Sequence, residues 1–110
     1  MLLVSQLLAK WLDGDRLTQM AERVAGRSRM GVWQRTMHRL ADLGPTEARG
    51  YLRARGMSIV REETERLIEQ EGTGIARYAQ EIEEAAMQLL IDVISARAQS
   101  QATSVRRRAA

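Results

Sequence analysis

The sequence has no cysteine and no phenylalanine, one proline and one histidine in 110 residues. Without cysteine there can be no disulfide framework, zinc–thiolate site or thiol chemistry. A lone imidazole, His38, has no second histidine to share a metal with. It also has no Asp or Ser at an offset suited to nucleophilic catalysis, so it reads as an exposed or packing side chain. Aromatic residues make up only 4%. The apolar share of 45% is therefore mostly Leu, Ala, Val, Ile and Met. Long apolar runs are missing too. The longest uncharged stretch, Met1–Ala9, is about half of the roughly 18 residues that a membrane span needs. It has no preceding basic segment and is soon followed by Lys10, Asp13 and Asp15. It reads as an amphipathic helix rather than a signal peptide, and the cytoplasm is the expected location.

Charge is plentiful, and it is segregated. Residues 1–61 carry 11 bases against 5 acids, and residues 62–97 carry 3 against 9. The last 13 residues add Arg106, Arg107 and Arg108. All bases except Lys10 are arginine, whose planar fork suits carboxylate and phosphate. A basic half beside an acidic half suggests that the two face each other, within one chain or between chains. The other outlet for such a surface is nucleic acid.

Apolar positions recur at helical spacing and almost nowhere with period two, so the expected fold class is all-α. Turn signals at Asp13-Gly14-Asp15, Gly26-Arg27-Ser28, Gly44-Pro45-Thr46 and Gly72-Thr73-Gly74 divide the chain into four to five helices. The first covers about Leu2–Leu12, with Leu3/Val4, Leu7/Leu8 and Trp11/Leu12 on one face. The second covers about Arg16–Ala25, with Asp15 as its N-cap. The third covers about Arg29–Leu43, with Met30, Trp33, Met37 and Leu40/Ala41 as its apolar face. Gly44 is expected to cap it in the left-handed conformation. The fourth runs from Thr46 as N-cap to about Glu71, and Gly56 on its apolar stripe marks a close helix approach or a kink.

The fifth helix, about Gly74–Ser100, has the clearest pattern. Its seam is Ile75, Ala79, Ile82, Ala86, Leu89, Val93 and Ala96, in alternating steps of 4 and 3. Tyr78, Ala85, Leu90 and Ile94 widen that face beyond a two-stranded seam. The expected architecture is a small bundle in which the two last helices form a long antiparallel hairpin, completed by oligomerisation. Residues 1–98 form its single domain, and 99–110 are expected to be a disordered basic tail.

Chemistry on offer is sparse. Glu62, Glu65 and Glu69 share a helix face, as do Glu81 and Glu84, but no Glu-x-x-His accompanies them as di-metal bundles require. Gly72-Thr73-Gly74 lacks the lysine and the preceding strand of a phosphate loop. No catalytic residue, cofactor or metal site is expected, and the chain is not expected to be an enzyme.

Two readings of function remain. The first is a protein–protein interaction module that self-associates through its two long C-terminal helices. Ile75, Ala79, Ile82, Ala86, Leu89 and Val93 would be the interface. Its partner is a second copy or another helical protein. The second is a small DNA-binding or regulatory protein. Arg23/Arg27, Arg35/Arg39 and Arg49/Arg53 are like-charge pairs four residues apart, which a negative partner would relieve. Leu17–Leu43 also loosely resembles a helix-turn-helix, although Glu22 and Gly31 depart from its pattern. The nucleic-acid contacts on this reading are Arg27, Arg29, Gln34, Arg35, Arg39, Arg49 and Arg53.

Overall fold

The computed structural model describes residues 2–109; of these, the side chains of 2–13, 73, 105, 106 and 109 lie outside the description. The described residues form three α-helices and one short 3-10 helix. These are α1 (Leu2–Leu40), α2 (Pro45–Glu71), the 3-10 helix (Thr73–Tyr78) and α3 (Ala79–Ala109). There is no strand among the described residues. Consecutive helices run antiparallel, and each of the three packs on the other two. α1 and α3 are therefore parallel.

The helix count corrects the sequence reading of four to five. Both Asp13-Gly14-Asp15 and Gly26-Arg27-Ser28 lie inside α1, which is unbroken for 39 residues. A helical glycine costs only about 1 kcal/mol relative to alanine, and neither segment contains proline, which would forbid continuation. Burial on both sides of Gly26 outweighs that cost. Val24 is 1% exposed, and Ser28 and Val32 are fully covered. Each buried Val, Leu or Ile contributes roughly 1.5–3 kcal/mol. The helix-turn-helix resemblance ends with this observation, because there is no turn between its two halves. Asp15 lies within α1 and caps nothing. The apolar face expected over residues 2–12 falls on side chains outside the described set.

The core face of α1 also differs from the expected one. Trp33 and Leu40 are buried, but Met30 and Met37 are 60% and 51% exposed. The fully covered positions are Ser28, Val32 and Thr36. Thr36 can be buried because its Oγ1 donates to the Val32 carbonyl at 2.7 Å. Thr64 does the same on α2, donating to Val60 at 2.8 Å. A hydroxyl that returns its proton to its own helix leaves a compact β-branched side chain for packing.

The connections differ in detail from the expected caps. Gly44 has an extended backbone (φ −67°, ψ 165°) and is the N-cap residue of α2. Its carbonyl accepts from the Ala48 N–H at 2.8 Å. Pro45 opens α2, where its missing N–H is not needed. Gly72 closes α2 at φ 95°, with its N–H donating to the Ile68 carbonyl at 2.8 Å. It is the single residue with positive φ among those described.

Gly56 marks a close approach. A Cβ there would lie 3.1 Å from Met87 Cε on α3 and 3.3 Å from Val32 Cγ1 on α1. The three helices thus converge on a position where only hydrogen fits without adjustment. Around it the core is built from Val24 and Val32 on α1, Leu52, Val60 and Leu67 on α2, and Ile82, Met87, Leu90 and Ile94 on α3. α3 continues beyond Ser100 to Ala109, across residues read from composition as a tail. The described residues measure 65 × 26 × 19 Å. Their radius of gyration is 17.1 Å, against about 13 Å for a compact domain of this length.

Candidate interaction surfaces

The expected interface residues, Ile75 in the 3-10 helix and the others on α3, divide into two groups. Ile75, Ile82 and Ala86 are buried against this chain's own α1 and α2, and Ala79 is half-buried. Leu89 and Val93 are 38% and 41% exposed. The division follows from helical geometry. The buried set on α3 continues as Met87, Leu90, Ile91 and Ile94. These follow the 3.6-residue repeat of a straight helix, from which a strict heptad drifts outward. Leu89 and Val93 therefore come to the lip of the bundle.

That lip adjoins α1. Arg97, one turn beyond Val93, stacks on the Trp33 ring with its Cζ 4.4 Å from the centroid. Trp33 in turn lies between Met30 and Met37 at spacings of three and four on α1. Met30, Trp33 and Met37 thus form one stripe, and Leu89 and Val93 another, joined through the Trp33–Arg97 contact. A shallow hollow of about 330 Å³ continues this surface along Trp33, Met37, Ala41, Ala98 and Ala102.

The arginines also divide. Arg23 donates to Glu71 at 2.9 Å, and Arg53 to Glu84 at 2.8 Å. Arg61 lies 3.8 Å from Glu83, and Arg66 pairs with Glu63 on the same helix. The hydrogen bond from Arg23, opposed by partial burial, and the nearby charges of Arg23 and Arg16 hold the Glu71 carboxyl below its ordinary value. Arg27 donates to Gln70 at 3.1 Å. Part of the basic half therefore does meet the acidic half within one chain.

A second group has no carboxylate partner. Arg35, His38 and Arg39 on α1 face Tyr51, Ala54, Arg55 and Ser58 on α2, around a recess of about 480 Å³. The Cζ atoms of Arg39 and Arg55 lie 5.5 and 5.6 Å from the Tyr51 ring centroid. Arg35 Nη1 stands 3.5 Å from Ser58 Oγ. Among the described residues, no carboxylate lies within ion-pair distance of Arg35, Arg39 or Arg55.

Of the seven positions expected to meet nucleic acid, the structure brings only Arg35 and Arg39 to one place. Arg29, Gln34 and Arg49 are exposed elsewhere. Arg27 and Arg53 have partners within the chain. Arg53 and Arg55 are two residues apart on a helix and so point to nearly opposite sides. Arg55, His38, Tyr51 and Ser58 were not singled out together by sequence reasoning. A usable signal was present: Arg35/His38/Arg39 and Tyr51/Arg55/Ser58 each repeat at three or four, on the two arms of a hairpin turning at Pro45. The chain matches no protein-family model, no curated protein and no solved structure.

Proposed function

We propose that this protein is a non-enzymatic helical interaction module that self-associates through the lip of the α1–α3 pair. The observation that carries this reading is the exposure of four large apolar side chains, Met30, Met37, Leu89 and Val93, on one joined surface. A second copy suits this surface because a two-fold interface sets the same patch against itself, apolar stripe on apolar stripe. The chain's shape adds support. Its accessible surface is 7929 Å², whereas a compact protein of this mass exposes about 6,100 Å². Covering part of that excess by association removes apolar area from water, at about 25 cal/mol per Å².

On this reading the α3 seam has two roles. Ile75, Ile82 and Ala86 hold the subunit together, and Leu89 and Val93 hold subunits to each other. Light scattering on a size-exclusion column tests it. The wild type is expected to elute as an oligomer and the Leu89→Asp/Val93→Asp variant as a folded monomer. A monomeric wild type, or a variant of unchanged mass, contradicts the proposal.

Nucleic-acid binding was the other reading of the basic half. It loses the helix-turn-helix; what supports anion recognition on that reading is the arginine recess between α1 and α2.

A further inference from the structure

We infer that the recess between α1 and α2 is a binding site for a small phosphate-bearing anion, and this inference is independent of self-association. Three guanidinium groups, Arg35, Arg39 and Arg55, converge there with His38, and the lining contains no carboxylate. Each guanidinium presents five N–H donors in a planar fork that matches phosphate oxygens. Tyr51 and Ser58 add two hydroxyl groups to the lining.

The placement is not a general property of this chain's arginines. Where Arg23, Arg53 and Arg61 sit, a glutamate from another helix lies opposite. Within the recess lining, α1 and α2 both contribute bases and neither contributes an acid. The arginines there lie against an aromatic ring instead. Such a cluster repels itself: Arg35 and Arg39 are a like-charge pair at i,i+4, and Arg55 adds a third charge across the seam. A bound dianion reverses the sign of that interaction. The ring keeps two of the guanidinium groups near each other without neutralising them.

Size and layout favour a small ligand over a polymer. A volume of about 480 Å³ falls in the range of small-molecule sites. A duplex needs a row of bases along its phosphates. Arg49 and Arg53 lie on another side of α2, and Arg53 is occupied by Glu84. The bases therefore form a cluster and not a track.

Titration with inorganic pyrophosphate at constant ionic strength, followed by amide and arginine Nε–H NMR signals, tests the site. Saturable shifts are expected at Tyr51, Ala54 and Ser58 and at the side chains of Arg35, Arg39 and Arg55. Arg55→Gln and Arg39→Gln should each weaken binding about tenfold or more, the size of a lost charge-assisted hydrogen bond. Arg49→Gln should leave it within about twofold, as expected for a distant surface charge. Both recess arginines are exposed, so their replacement is expected to leave the fold intact, which the rest of each spectrum reports. Linear, unsaturated shifts spread over every arginine would overturn the inference. So would a short DNA duplex that binds more tightly than pyrophosphate and loses as much affinity with Arg49→Gln as with Arg55→Gln. That outcome would replace a small-ligand site with a nucleic-acid surface.

Discussion

The two ends of the α1–α2 seam treat arginine in opposite ways. At the end near Gly72, Arg23 meets Glu71 and Arg27 meets Gln70, so each guanidinium has an acceptor on the facing helix. At the end near Pro45, Arg39 and Arg55 lie over Tyr51, Arg35 reaches only the Ser58 hydroxyl, and the recess has no carboxylate. Both ends belong to the same antiparallel pair and have similar exposure. What separates them is which residues α2 places opposite α1: Glu71 and Gln70 late in the helix, Tyr51, Arg55 and Ser58 early. The segregation of charge along the chain becomes, after one hairpin turn, a segregation along the seam.

That contrast can be disturbed from the core side. Gly56 sits in the recess half of α2, beside Arg55 but on the buried face, and keeps Val32 and Met87 close. Gly56→Val places branched methyl groups against the stiff Val32 side chain. It should destabilise the fold by about 2–3 kcal/mol, typical of an overpacked core. Chemical denaturation measures the loss, and the arginine contacts at both ends should loosen together. A change confined to one end would mean that the two ends do not depend on this packing point together.

The two ends can also be made alike. Ser58→Glu places a carboxylate beside Arg35, copying the arrangement of Arg23 and Glu71. It should leave stability unchanged or raise it by up to about 1 kcal/mol, the range of exposed pairs, and it should abolish the pyrophosphate response. Retained binding would show that the open arginines are not what the anion recognises.

The smallest effect concerns pH. Glu71 has a depressed carboxyl, so its pairing stabilises the folded state above its unfolded-state value. That contribution is lost as pH falls through the lower folded-state value. Because both partners are largely exposed, the loss should be slight. Arg23→Gln should shallow the acid limb of the stability–pH curve, and an unchanged limb would remove Glu71 from the account.

The helical class and the involvement of Ile75, Ile82, Ala86, Leu90 and Ile94 in an apolar face were legible in the sequence, because a 3.6-residue period is a local property. Two kinds of information were not. Gly14 and Gly26 read as turns because glycine propensity was weighed alone; at Gly26 the burial of Val24 and Ser28 on either side outweighs it. Ser28 and Thr36 read as polar, yet they are fully buried, and Thr36 is satisfied by its own backbone; Thr64, by contrast, already stood on the stripe expected for α2. Once Val32 and Thr36 are inside, Met30 and Met37 must turn outward, and that exchange produced the exposed stripe. The recess was hidden for a different reason. Arg35/Arg39 stood out as a like-charge pair, but its relation to Tyr51, Arg55 and Ser58 depends on a seam register set by Pro45 and Gly56 rather than by the arginines.

The absence of native cysteine makes one experiment unusually direct. A nitroxide attached through Gln34→Cys, one turn beyond Met30, can be mixed with chains carrying labelled Met, Leu and Val methyl groups but no nitroxide. If two copies pack through the α1–α3 lip, the methyl signals of Met30, Met37, Leu89 and Val93 should broaden, while those of buried Leu52 and Leu67 change less. Equal, concentration-independent signals with and without the labelled partner, or broadening centred elsewhere on the molecule, would contradict self-association through this surface.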